Sequence, residues 1–146
     1  SCLGTTLKKA GSKENFYRTD FEMNVHFADL IAQTDAHYLL VSAMGADASS
    51  RIFYNQVKGH LEQHIQQLGL QRVSIIRPSL LLGEREESRT FEDAAQKLYR
   101  KFSKLVPDTF KYKPVTAEQV AHTMVDAAQS QTIPFEIYDN LRIQQH

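Results

Sequence analysis

Tyr54 and Lys58 stand four positions apart in the run Tyr54-Asn55-Gln56-Val57-Lys58, and a helix with that spacing carries both side chains on one face. A phenol beside an ammonium can move protons. The tyrosine hydroxyl has a reference pKa of about 10, and a neighbouring cation favours phenolate and lowers the cost of proton transfer near neutral pH. Lysine also brings donors for the hydroxyls of a cofactor. The same spacing describes an ordinary surface pair on an amphipathic helix, so its meaning depends on context. Ser42, twelve positions before Tyr54, supplies some. A strand-loop-helix path can return its hydroxyl to the tyrosine, where it would hydrogen-bond a substrate carbonyl and hold it for hydride attack. A serine there can equally be a strand-end or turn hydroxyl.

The elements that must position these groups follow from the apolar pattern. Tyr38 to Ala43 is short, apolar and strand-like, and it ends at Ser42-Ala43-Met44-Gly45. The polar loop Asp47-Ala48-Ser49-Ser50 offers several helix caps. From Arg51 to Leu68, Phe53, Val57, Leu61, Ile65 and Leu68 form one helical stripe, with Gly69 placed to end it. Val73 to Ile76 reads as a buried strand broken by Arg77-Pro78, with Ser79 to Leu82 continuing apolar toward Gly83. Upstream, Phe21, Val25, Phe27, Ala28 and Ile31 give a helix from about Tyr17 to Gln33 an apolar face. Downstream, a charged loop runs from Glu84 to Arg89, and a helix is expected from Thr90 through Leu105. Thr116 with Gln119 makes a capping-box pattern before Val120, Ala121, Met124 and Ala128, and Phe135 to Tyr138 reads as a last strand. Strand-helix-strand units of this length imply parallel pairing with helices on both faces, an α/β architecture.

Bulk properties narrow the classes. The chain has 146 residues, 42% of them hydrophobic, enough for a real core. Its 17 Lys and Arg balance 17 Asp and Glu, so no global field favours nucleic acid or an anionic membrane. No apolar run approaches the roughly 20 residues that cross a bilayer. The one cysteine, Cys2, excludes an internal disulfide, and a cytoplasmic location is expected.

In order and approximate spacing, several segments resemble the short-chain dehydrogenase/reductases, in particular the atypical subgroup that includes an HIV-Tat-interacting oxidoreductase and its bacterial relatives. They are Cys2-Leu3-Gly4-Thr5-Thr6 with Lys9-Ala10-Gly11; Ser42 with Gly45-Ala46-Asp47 and Ser49-Ser50; Tyr54 with Gln56-Val57-Lys58-Gly59; and Arg77-Pro78. The likeness continues through Leu80-Leu81 into Arg85-Glu86-Glu87-Ser88-Arg89 and more weakly through Val106-Pro107-Asp108. It implies a Rossmann-like parallel sheet and an NAD(P)-dependent oxidoreductase in which Ser42, Tyr54 and Lys58 are the catalytic serine, tyrosine and lysine. By the same resemblance, Tyr54 exchanges a proton with a carbonyl or alcohol while nicotinamide exchanges hydride, and Lys58 binds the nicotinamide ribose. Gly4, Thr5 and Thr6 would lie beside the cofactor, and the segment at Arg77 and Pro78 would pass near nicotinamide and substrate. NADP is preferred over NAD on this resemblance alone.

Two departures accompany it. Asp20 falls near a position where many members of the wider superfamily carry an asparagine that organises a water relay. The six glycines form no Gly-x-Gly-x-x-Gly or Gly-x-x-Gly-x-x-Gly phosphate loop. Residues 1–146 are therefore expected to be the C-terminal catalytic portion of a single NAD(P)-binding domain, with the glycine-rich part upstream of Ser1. Ser1 to Thr6 is expected to be the end of a buried strand running into a turn.

The substrate is an unidentified small molecule, and the chemistry could be carbonyl reduction, alcohol oxidation or a sugar-type epimerisation. A second class is an NADP(H)-responsive binding or regulatory protein that changes partners with little turnover, and a homodimer or protein partner fits either class. His60 and His64 lie four apart but lack a third ligand, so they are expected to be solvent-facing polar residues and no metal is expected. Cys2 is expected to pack at the strand end. Lys97, Arg100, Lys101 and Lys104 give the Thr90 to Leu105 helix a basic side, which would be a solvated face or else meet an anionic lipid or partner or help cover the substrate pocket, and Arg85 and Arg89 would either meet an acidic substrate or solubilise their loop.

Overall fold

The computed structural model describes residues 1–82 and 110–146. The charged loop with Arg85 and Arg89 and the basic helix expected from Thr90 lie outside the described residues. Three parallel strands build the main sheet: β1 (His37–Val41), β2 (Arg72–Ile76) and β5 (Phe135–Tyr138), in the order β1-β2-β5. Two short strands, β3 (Leu81–Leu82) and β4 (Val115–Thr116), pair in parallel beside it. The amide of Ser1 donates to the Leu39 carbonyl, and the Val41 amide donates to the Ser1 carbonyl at 2.9 Å. Ser1 thus pairs with Leu40 as the next parallel strand would. The chain leaves the sheet at once, so Cys2 is exposed and not packed as expected.

Alternation along the strands loads both faces. Tyr38, Leu40, Val73 and Ile75 meet Leu61 and Ile65 of α4 (Phe53–Gln67) and Ala28 of α3 (Met23–Ile31). Ile76 and Tyr138, with Leu39 and Val41, meet Val120, Met124 and Ala127 of α5 (Ala117–Ser130) on the opposite face. This is a parallel sheet flanked by helices, the expected Rossmann-like α/β class. A chain of polar contacts crosses the sheet: His37 shares a 2.8 Å hydrogen bond with Ser74, Ser74 donates to Gln131, and the Gln131 amide donates to the Val73 and Ile133 carbonyls. A short terminal helix, α6 (Asn140–Ile143), closes the chain and buries Asn140 and Ile143.

The helix upstream of β1 begins earlier than its apolar pattern suggests. After a short α1 (Leu7–Ala10), Ser12 caps α2 (Lys13–Tyr17), a π-helical turn spans Arg18–Glu22, and α3 follows without a break. Its buried stripe is Phe16, Asp20, Asn24 and Ala28. Steps of four overshoot a 3.6-residue period by about 40° each, and the wider turn absorbs part of that drift. Phe21, Val25 and Ile31 still border the core, whereas Phe27 is 49% exposed. On α5 the capping box of Thr116 and Gln119 is present, but Ala121 and Ala128 are exposed and Val120, Thr123 and Ala127 are buried.

α4, at 15 residues, ends before Gly69, whose φ of +67° suits a residue without Cβ. None of the residues Asp47 to Ser50 caps it. Ile52 occupies the cap position without a side-chain bond, while Asp47 accepts from Ser49 and Ser50 accepts from the Ile52 amide within the loop. That loop crosses α4 at Gly59, where a Cβ would stand 2.1 Å from the Ala48 nitrogen and 2.2 Å from the Asp47 carbonyl carbon. Alanine would gain about 1 kcal/mol of helix propensity but force backbone apart. Gly59→Ala is expected to lower stability by about 2 kcal/mol or more, read as a lower denaturation midpoint at unchanged m-value.

Candidate active site

A cleft of about 970 Å³ opens where β1 and β2 end, and it is lined by the turn after each strand, by residues 2–7 and by one side of α4. Open parallel sheets present ligand sites at the carboxyl ends of their strands because the loops diverge there. Ser42 follows β1 directly; its amide donates to the Ile76 carbonyl at 2.8 Å and so fixes the residue to the neighbouring strand. Tyr54 lies in the first turn of α4, Lys58 one turn on, and both line the cleft with Ser42, Gly4, Thr5, Thr6 and Pro78. The structure thus gathers Ser42, Tyr54 and Lys58 around one space. Arg77 is not among the lining residues, because its guanidinium is turned to Glu62.

Tyr54 is 37% exposed, and its ring leans on buried Phe16, with centroids 5.8 Å apart. The phenol therefore has an apolar back and an accessible flank. Lys58 is only 4% exposed, and its ammonium lies 2.8 Å from the carboxylate of Asp20, itself 1% exposed. The other oxygen of Asp20 accepts the Thr5 amide at 2.8 Å. Gly4 completes this corner: a Cβ there would stand 3.0 Å from Asp20 Oδ1 and 3.6 Å from Lys58 Nζ. The π-helical turn that carries Asp20 is held by Asn24, whose amide donates to the Asp20 carbonyl at 3.2 Å and the Leu3 carbonyl at 3.2 Å. Asp20, noted in the sequence only as a departure, is thus the counter-ion of Lys58.

On the other side of Ser42, its hydroxyl donates to Glu62, and Glu62 is gripped by Arg77 through Nε at 3.1 Å to both oxygens and through Nη2. Glu62 is 5% exposed. The sequence reading missed it, although Tyr54, Lys58 and Glu62 form an i, i+4, i+8 series and an acidic residue on the buried side of a helix is a signal. His60 and His64 are half-buried instead of solvent-facing; His64 lies 3.7 Å from Asp29 and edge-on to Phe21. Among the described residues, no group of three or more His, Cys, Asp or Glu is placed to hold a metal ion.

With that geometry in hand, similarity to known proteins becomes informative. No family model matches the chain. It is 38% identical over 130 residues to Protein FMP52-1, mitochondrial, of Scheffersomyces stipitis, covering 88% of this chain and 58% of that protein. It is 41% identical over 97 residues to Protein fmp52, mitochondrial, of Emericella nidulans, covering 66% and 42% respectively. It is 42% identical over 110 residues to Protein HTATIP2 of Rattus norvegicus, covering 75% and 43%. The chain spans about half the length of these curated relatives. Relationship to the Fmp52 and HTATIP2 proteins supports a place near the atypical short-chain dehydrogenase/reductases. The mitochondrial names of several of these relatives overturn the cytoplasmic expectation. Composition carried no information on compartment beyond the lack of an internal disulfide.

The buried pair in the cleft makes a quantitative expectation. Removing one partner of a buried ion pair commonly costs about 3–5 kcal/mol, because the other charge stays desolvated. Asp20→Ala and Lys58→Met should each destabilise the fold by about 3 kcal/mol, and the double variant by clearly less than their sum. Denaturant unfolding of the four proteins measures the coupling. Additive losses would mean that the two charges do not support one another.

Proposed function

We propose that residues 1–146 are the catalytic portion of an NAD(P)-dependent oxidoreductase of the short-chain dehydrogenase/reductase type, acting on a small carbonyl or alcohol substrate. The observation that carries this reading is the arrangement of Tyr54 and buried Lys58 one turn apart on α4, facing the same cleft as Ser42 at the strand ends. The residues suit a dinucleotide's nicotinamide end. Gly4 keeps the wall beside Lys58 and Asp20 free of a side chain, and Lys58, with one donor directed at Asp20, has two more for ribose hydroxyls. Thr5, Thr6 and Pro78 complete the wall. NADP is favoured over NAD through family resemblance. The bound cofactor would supply or accept the hydride.

The chain's own residues manage the proton. Tyr54 gives its phenolic proton to the carbonyl oxygen as the carbon is reduced, or takes it back in the oxidising direction. The negative charge that develops on the Tyr54 oxygen is favoured by the Lys58 ammonium and by the N-terminal end of α4. Asp20 keeps the ammonium from swinging away, and Phe16 keeps the phenol ring in place. Ser42 orients the ligand by a hydrogen bond. The names of the fungal relatives favour a mitochondrial setting for this chemistry.

Tyr54→Phe in the full-length protein should retain cofactor affinity but lose turnover by about 10²–10⁴-fold, since the ring still packs on Phe16 while the transferable proton is gone. Cofactor titration, together with NADPH- and NADH-linked assays on an aldehyde and ketone panel, measures both. Wild-type turnover in the variant would remove Tyr54 as the proton donor. Cofactor binding without turnover by the wild-type protein anywhere in the panel would favour a regulatory role.

A further inference from the structure

We propose that Asn55 is a specificity-determining residue of the cleft, and that its carboxamide pairs with a second polar group of the substrate, away from the reacting carbon. That group is neutral and both donates and accepts a hydrogen bond, as a hydroxyl or a primary amide does. Gly45 is the positioning residue that gives the carboxamide its place. The inference deepens the proposed oxidoreductase site and rests on it in taking this cleft as the ligand site. Ser42 and Tyr54 keep the reacting oxygen.

Asn55 lines the cleft together with Ser42, Gly45, Tyr54 and Lys58. At about 100° per residue, Tyr54 and Asn55 flank Lys58 on α4. The tyrosine ring leans on Phe16, whereas the Asn55 amide meets the turn after β1. A Cβ at Gly45 would stand 2.8 Å from Asn55 Nδ2, 2.9 Å from Oδ1 and 3.0 Å from Cγ. Three nearly equal distances mean that the amide lies face-on to Gly45, in the volume that a side chain at that position would claim. The turn beneath it is tied down on three sides. The Met44 amide donates to the Pro78 carbonyl at 3.0 Å, the Ala46 amide to the Ala43 carbonyl at 3.0 Å, and the Asp47 amide to the Asn55 main-chain carbonyl at 3.1 Å.

The main-chain carbonyl of Asn55 is thus used, but among the described residues no hydrogen bond reaches or leaves its half-buried side chain. A carboxamide shows a donor and an acceptor side by side, and it does so in either orientation of the amide. A ligand that excludes water from such an edge loses affinity unless it replaces both bonds. An alkyl group replaces neither, and an ether meets the donor alone. Because the carboxamide is uncharged, its best match is a neutral group that offers one of each. Asn55 therefore reads a part of the substrate that the Tyr54 and Ser42 hydroxyls do not, and it stands on the same rigid helix that carries Tyr54.

Matched ketones test this without requiring turnover: meta- and para-acetylbenzamide, which carry a primary amide, and meta- and para-isopropylacetophenone, which carry an alkyl group of the same shape. Their affinities for full-length protein are compared by ligand-observed NMR in the absence of cofactor, and the amide-to-alkyl ratio is taken for each isomer. Asn55→Leu, close in shape and a good helix former, should lower that ratio about tenfold for at least one isomer. Gly45→Ala leaves Asn55 in the chain but puts a Cβ into its amide, and should lower the same ratio by about threefold or more. A hydrated helix amide with no part in ligand binding would leave the ratio unmoved in both variants. An unchanged ratio for both isomers in folded Asn55→Leu would overturn the proposal, as would failure of wild type to bind either benzamide. A ratio lowered by Asn55→Leu but not by Gly45→Ala would remove Gly45 as the positioning residue. If circular dichroism shows that Asn55→Leu does not fold, the Gly45→Ala ratio decides in its place. Failure of NAD(P)H-linked turnover would bear on the oxidoreductase reading alone, because these affinities are measured without cofactor.

Discussion

The burial of Lys58 is the constraint around which the site is arranged. An ammonium taken out of water is tolerated only when a partner charge and hydrogen bonds replace its hydration. Asp20 supplies the charge at 2.8 Å, and Asp20 in turn is satisfied by the Thr5 amide. Three stretches distant in sequence are thereby tied together: the N-terminal segment, the helical turn at Arg18–Glu22 and α4. The π-helical widening belongs to the same constraint, since a buried stripe of four-residue steps needs a turn longer than 3.6 residues to keep Asp20 under the ammonium.

Glu62 and Arg77 repeat this arrangement one turn further along α4, with the signs exchanged. Here α4 carries the anion, and the cation reaches in from the end of β2. The two pairs differ in what they leave for a ligand. Lys58 faces the cleft and keeps donors available, whereas Glu62 lies behind Ser42 and acts only through it. Such pairs add little net stability compared with apolar packing, but they impose geometry, because a misplaced partner leaves a charge uncompensated. A site that must hold a phenol, an ammonium and a hydroxyl in fixed relation gains from that intolerance.

The parallel sheet is the common platform. Its three strands point their carboxyl ends at one side, where the turns after β1 and β2 separate and the cleft forms. The bond from the Ser42 amide to Ile76 and that from the Arg77 amide to Tyr138, at 2.8 and 2.9 Å, extend the ladder one residue past each strand. Ser42 and Arg77 are consequently held with strand-like rigidity although they stand in turns. Gly59 lets the loop after β1 lie directly on α4, which keeps that loop short and the strand end close to Tyr54.

Much of this was legible in the sequence, for a physical reason: periodicity reports which side of an element is buried. The alternating and continuous apolar runs located β1, β2 and β5, the four-residue spacing put Tyr54 and Lys58 on one side of α4, and Thr116 with Gln119 marked the start of α5. Periodicity says nothing about partners between elements. That Asp20 neutralises Lys58, that Glu62 takes the Ser42 proton, and that Arg77 turns to Glu62 and away from the cleft depend on distances across 15 to 38 positions of chain. The same limit explains the errors. A single helical phase puts Phe27, Ala121 and Ala128 on the apolar faces of their helices, whereas the π-helical turn and the local docking of α5 choose another phase. The sequence alone determined which residue types could do chemistry and on which elements they stand. Only the tertiary structure decided their pairing, because a buried charge selects its partner by proximity in space and not along the chain.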